Sequence, residues 1–168
     1  MIKLIVGLGN PGPEYELSRH NIGMLALDNL SFESQLNWTK KFKGLYAKRE
    51  DKFFLKPQTF MNLSGESVVE IMNFFKIKID EILIVHDELD FQFGKIQFKD
   101  GGGTAGHNGL KSILKCLGTS DFKRLRLGIG RPEHGSVSDS VLSSFKDSEI
   151  SELESLLKNA AVEIEKLI

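Results

Sequence analysis

The chain has 168 residues, 40% hydrophobic and 27% charged, with 22 Lys/Arg against 23 Asp/Glu for a net charge of −1. That size and balance fit one domain spanning residues 1–168 and exclude disorder, and no apolar run approaches the ~20 residues of a membrane helix. The lone cysteine, Cys116, excludes an internal disulfide framework and, with a strand rather than a leader at the N-terminus, points to the cytoplasm.

Residues 2–8 form an apolar, β-branched run expected to be a buried strand, and 21–30 read as a helix. Short strands are expected at 43–49 and 52–56, the second stopped by Pro57. In 64–76, Val68, Ile71, Met72 and Phe75 recur at the i, i+3, i+4, i+7 spacing of an amphipathic helix. Ile82–His86 is a second buried strand, and 95–99 a further element of the sheet. A glycine-rich loop, 101–109, leads into a helix over 109–117, on whose face Cys116 is expected to pack. Arg124–Gly130 alternates arginine with apolar residues as a strand does, and a closing helix from about Ser148 carries Ile150, Leu153, Leu157, Ile164 and Leu167 on one face. Strands alternating with helices predict an α/β sandwich with a central mixed, mostly parallel sheet flanked by helices. Ligands bind outside the carboxyl ends of strands in such sheets. The polar loops 9–21, 57–64, 86–94 and 101–109 are therefore expected to converge at one sheet edge.

Charge is segregated along the chain. Residues 38–56 carry seven Lys/Arg against two acids, residues 95–131 eight against two, and the last 36 residues eight acids against three lysines. This predicts one basic and one acidic face, as a polyanion-binding protein would have.

Several motifs lead elsewhere and fail on context. Gly7-Leu-Gly-Asn-Pro-Gly12 follows a strand as a dinucleotide fingerprint does, but Pro11 and Pro13 bracket its last glycine and the helix starts about eight residues later. His86-Asp-Glu-Leu89 is a retention signal only at a C-terminus. The carboxylates Asp87, Glu88 and Asp90 suggest a hard metal site, but with no clustered histidines and one cysteine in the chain, no metal and no other cofactor is expected. No G-x-S-x-G elbow or P-loop ending is present.

What remains in the four loops is His20, Asp87 and the asparagines Asn10, Asn21, Asn62 and Asn108. A histidine and a carboxylate brought together by folding make a base with its orienting partner. Asparagine amides hold a main chain or a developing oxyanion without adding charge. Each residue alone also fits a cap or a turn, so the pattern by itself stops at a hydrolase-like α/β protein able to bind a polyanion.

The chain resembles the bacterial-type peptidyl-tRNA hydrolases. The matching blocks are Gly7–Gly12 with Tyr15, Arg19-His-Asn-Ile-Gly23, Pro57-Gln-Thr-Phe-Met-Asn-Leu-Ser-Gly65, His86–Asp90, Gly101-Gly-Gly-Thr-Ala-Gly-His-Asn-Gly-Leu110 and Arg124-Leu-Arg-Leu-Gly-Ile-Gly-Arg-Pro132. Residues 31–53 carry no family motif, and the C-terminal helical region ends earlier than in many relatives. The resemblance implies a monomeric, metal-free esterase that cleaves peptidyl-tRNA and recycles the tRNA. It implies His20 as general base, Asp87 as its orienting partner, and Asn10 as a hold on the histidine or the peptide carbonyl. It places Asn62 and Asn108 at the ester, Met61 and Tyr15 along the site, and His107 as a gate beside the peptide channel. Lys99 and Arg126 become tRNA phosphate contacts. The rival readings are a small nucleotide-dependent oxidoreductase, resting on the glycines near residue 7, and a non-catalytic RNA-binding module.

Overall fold

The apolar runs become the centre of a seven-stranded sheet in the computed structural model, which describes residues 1–168. Its strands are β1 (Leu4–Gly7), β2 (Thr39–Lys41), β3 (Gly44–Arg49), β4 (Lys52–Pro57), β5 (Ile82–Glu88), β6 (Ile96–Asp100) and β7 (Lys123–Gly128), in the order β2-β3-β4-β1-β5-β7-β6. The middle four, β4-β1-β5-β7, run parallel. Antiparallel strands β3 and β2 extend one edge, and β6 the other. A strand covered on both faces has no polar side, which is why β1 and the Ile82–Val85 part of β5 read as unbroken apolar runs.

Helices α1 (Ile22–Asp28) and α5 (Ile150–Leu167) cover one face, and α2 (Ser64–Phe75) and α3 (Asn108–Leu117) the other; α4 (Val137–Leu142) is a short segment before α5. On the first face Leu27, Leu153 and Ile164 share a core with Ile5, Leu83 and Val85. On the second, Val68, Ile71 and Ile113 pack on Leu4, Val6 and Ile84. Side chains alternate across a strand, so each central strand feeds both cores. No helix is long and apolar enough to cross a membrane.

The glycines near residue 7 serve packing. A Cβ on Gly7 would come within 2.5 Å of the Gly23 carbonyl oxygen, and one on Gly23 within 2.2 Å of that of Val85. Helix α1 therefore lies directly on β1 and β5, and it opens at Ile22, far from Gly12.

Several expectations are corrected. Strand β2 leaves no signal in the sequence because all three of its residues are exposed and nothing alternates. Helix α4 leaves almost none, being six residues long with only Val141 buried. Cys116 is exposed: Leu110 and Ile113 form the buried stripe of α3, and the cysteine falls one step off it. The two basic segments do not share a face, since 38–56 forms the β2–β4 edge and 95–131 the β6–β7 edge. Much of the first is neutralised locally, Lys43 pairing with Glu66 at 2.7 Å and Lys56 with Asp28. Finally, β6 runs against β7, so the 101–107 loop starts at the far edge of the sheet. It doubles back to bring the N-terminus of α3 to the loops that follow β1, β4 and β5.

Candidate active site

His20 is held through its two neighbours. It sits in a 3-10 turn, Arg19–Asn21, between β1 and α1. Arg19 makes a forked pair with Glu149, Nη1 to Oε2 at 2.8 Å and Nη2 to Oε1 at 2.6 Å, and its guanidinium lies 5.1 Å from the Phe145 ring. Asn21 accepts the Asn10 N–H at 2.8 Å and donates its amide to the Asn10 carbonyl at 2.9 Å. With both flanks anchored, the imidazole between them has little freedom.

Its partner arrives from β5. His20 Nδ1 donates to Asp87 Oδ1 at 2.8 Å, which puts the ring proton on Nδ1 and leaves Nε2 with a free lone pair. The same carboxylate oxygen accepts a second ring. His107 caps α3 with its Nδ1, which accepts the amides of Gly109 at 3.1 Å and Leu110 at 3.3 Å. Its proton is therefore on Nε2, which donates to Asp87 Oδ1 at 2.8 Å. Burial alone would raise the Asp87 carboxyl. It is held well below the usual carboxylate range because His107 and His20, each aiming an N–H at Oδ1, outweigh burial. His86, next along β5, donates Nδ1 to the Asp87 carbonyl at 2.8 Å, and its buried Nε2 has no partner in the chain. Burial first, then the nearby His107, push its pKa down to about 3.

His20, Asp87 and His107 present three ligand-type atoms within 4.8 Å of one another. Their proton arrangement does not suit a metal. Both facing nitrogens carry the hydrogens that bind Asp87, and freeing the lone pair on His107 Nε2 would move its proton to Nδ1 and break the cap on α3. The chemistry of the donor set is that of a hydrogen-bonded base.

This cluster forms the floor of a cavity of about 690 Å³. Asn10 reaches it with its amide side chain, whose oxygen accepts the Met61 N–H at 2.7 Å, so its Nδ2 faces the opening as a donor. Asn62 and Asn108 line the cavity and are exposed. One wall is apolar, made by Phe60, Met61, Leu89, Val141 and Leu142. The other is cationic, with Lys99, Arg124, Arg126 and Arg131. Arg126 is held flat, 4.6 Å from the Phe91 ring, bonded to Gln97 at 3.1 Å and 3.7 Å from Glu88.

Nine of the ten expected site residues thus meet at one cavity, and Tyr15 does not. It closes the half-buried turn Pro13–Tyr15, and the chain returns to the cavity only at His20. Asn10 makes no bond to His20; its side-chain oxygen is committed to Met61. Sequence reasoning missed His86, Arg124, Phe60 and the α4 wall. Only α4 left a local trace: Ser136 caps it by accepting the Asp139 N–H at 3.1 Å, a Ser-x-x-Asp start signal.

Comparison with known proteins bears on this geometry. The family model described as peptidyl-tRNA hydrolase matches residues 4–168. A peptidyl-tRNA hydrolase of Citrifermentans bemidjiense is 47% identical over 99% of this chain and 91% of its own. One from Lactobacillus johnsonii is 49% identical over 88% and 83%. The crystal structure of peptidyl-tRNA hydrolase from Acinetobacter baumannii superposes with a TM-score of 0.91 at 39% identity, covering 98% of this chain and 87% of that one.

Proposed function

The chain belongs to the peptidyl-tRNA hydrolase family, and from that premise we propose how its cavity cleaves the ester joining a peptide to the terminal ribose of a tRNA. The observation that carries the reading is the His20–Asp87 pair, which leaves Nε2 of His20 unprotonated at the floor of a cavity with one apolar and one cationic wall. His20 takes a proton from water, and the hydroxide equivalent attacks the ester carbonyl. Asp87 stabilises the imidazolium that forms and stays ionised itself. The imidazolium then returns its proton to the departing ribose oxygen. A ribose hydroxyl leaves far more readily than an amine, so a positioned base suffices and no covalent intermediate is required.

Asn10 Nδ2 donates to the developing oxyanion or the peptide carbonyl, while Asn62 and Asn108 orient the acylated end. Met61 and Phe60 cover the peptide, and His107 keeps Asp87 and the start of α3 in place. Lys99 and Arg126 meet tRNA phosphates. The whole chain, 1–168, acts as one catalytic domain, monomeric and cytoplasmic, releasing tRNA from peptides lost by stalled ribosomes.

The test uses purified protein with N-acetyl-aminoacyl-tRNA and with free aminoacyl-tRNA, at one salt concentration and with EDTA present. The acylated ester should be cleaved about 100-fold faster or more, because a free ammonium would be desolvated beside neutral amides with no counter-charge. EDTA should change neither rate. Binding of tRNA with the ester left intact would make the protein a non-catalytic RNA-binding module.

A further inference from the structure

The glycine-rich loop has a positional problem that its own residues do not solve. Asp100, at the end of β6, is level with Lys123 on β7 and so with Leu83 on β5, four residues short of Asp87. At ~3.3 Å per residue the loop must climb more than 10 Å back along the sheet before His107 can reach Asp87. It has no core of its own: Gly103, Ala105 and Gly106 are exposed, and a Cβ on Gly103 or Gly106 would meet nothing within 4 Å.

What meets the loop from below is Arg124. It is 2% exposed, yet no carboxylate is bonded to it. Its guanidinium lies 4.7 Å from the Phe122 ring and forks onto the main chain. Nη1 donates to the Gly103 carbonyl, and Nη2 donates to Gly102 at 2.6 Å and Ser120 at 3.2 Å. A guanidinium sealed from water without an anion is costly unless its hydrogens are used. Here the two loop carbonyls and that of Ser120 take hydrogens from Nη1 and Nη2, and the buried Nε–H is left without a partner in the chain. The held segment also touches the cationic wall, since a Cβ on Gly102 would lie 2.6 Å from Lys99 Cε.

We propose that Arg124 is the positioning residue of the 101–107 loop, fixing through the Gly102 and Gly103 carbonyls both Lys99 on the tRNA side and His107 and Asn108 on the ester side. The proposal rests on the roles given above to those three residues. Arg124 itself touches no substrate. Its planar fork sets two nitrogens at a fixed spacing, one to each carbonyl, whereas a lysine offers a single nitrogen on a flexible stem.

Arg124→Lys in the full-length protein tests this, with amide hydrogen exchange read alongside kcat and KM. Exchange over 101–107 should rise about 10-fold while β5 and β7 keep their protection. Turnover of both N-acetyl-aminoacyl-tRNA and a minimal N-acetyl-aminoacyl nucleoside ester should fall about 10-fold, with KM unchanged for the nucleoside ester and raised no more than several-fold for the tRNA as Lys99 loosens with the loop. A raised KM for tRNA alone, with a shallower salt dependence and an unchanged loop, would make Arg124 a phosphate contact and overturn the proposal. So would a loosened loop with normal turnover. If the lysine variant does not fold, Gly102→Ala addresses the loop from its other side. At φ 110° an alanine is strained, so the Gly102 backbone is expected to shift and take its carbonyl off the fork, while the tip of Lys99 can swing clear of the methyl. The same local exchange and loss of turnover are expected, and wild-type behaviour would sink the idea. Exchange needs no substrate. A wild-type protein inactive on the ester would thus refute the functional reading while the loop assignment is still decided.

Discussion

On the floor of the cavity the ionisable groups are sealed and tied to one another, whereas at the outer part of its cationic wall Lys99 and Arg131 stand open to solvent. His20 and Asp87 have side chains 9% and 1% exposed, and every proton between them and His107 is assigned by a hydrogen bond. Lys99 and Arg131 are exposed, and Arg131 pairs with Asp90 at 2.7 Å across open surface. The difference separates two kinds of work. In the sealed cluster, geometry and tautomer decide the outcome, and dissolved salt has little access. On the open wall, any attraction for a polyanion is Coulombic, and salt would compete with it directly.

The largest effect should come from the sealed side. His20→Ala should lower kcat about 1,000-fold with KM and salt dependence nearly unchanged. Asp87→Asn should cost less, about 10- to 100-fold, because the base remains while its tautomer and orientation are lost. Single-turnover cleavage at two salt concentrations checks both, and near-normal turnover in His20→Ala would erase the distinction between the walls.

A smaller effect belongs to the cationic wall. Lys99→Ala and Arg126→Ala should each raise KM for full-length substrate several-fold and flatten the log–log salt dependence by about one unit for each phosphate left unneutralised. Cleavage of a minimal nucleoside ester should hardly change. Equal damage to both substrates would place these residues in the chemistry instead.

The smallest effect is one of stability, and it again belongs to the sealed floor. His86 is pushed down to about 3 from an ordinary value near 6.5. The unfolded chain therefore binds a proton that the folded chain refuses between those limits. The stability this confers is complete above about pH 6.5 and is lost as pH falls toward 3. Asp87 contributes in the same direction, but only below about pH 4, where its unfolded form begins to protonate. Thermal melts between pH 7 and about 5.5 isolate His86, because Glu81 and Glu149, also held low in the folded chain, begin to contribute only as pH nears their ordinary value of 4.5. His86→Asn should flatten the fall in Tm by several °C, whereas parallel curves would show that burying a neutral His86 does not set the acid limit.

Much of this molecule is written in local pattern. The runs at Leu4–Gly7 and Ile82–Val85 could only be strands buried on both faces, and the stripe of Val68, Ile71 and Met72 could only be one face of a helix. Those periods are imposed on every few residues by backbone geometry, so they are visible without knowing the fold. His20, Asp87 and the asparagines were legible as loop residues of the right chemistry in blocks matching a family. Their assembly was not. His20 and Asp87 are 67 residues apart, and Arg19, which steadies the histidine, depends on Glu149 across 130. Strand direction leaves no local mark either: β6 looks alike run up or down, yet its antiparallel course sends the glycine loop to the far edge and makes Arg124 necessary. The same strand order separates two basic segments that composition alone would unite. Residue chemistry and periodicity are properties of a short stretch of chain. Tautomers, shared carboxylates and buried charges depend on what folding places opposite them, and only the tertiary structure decides that.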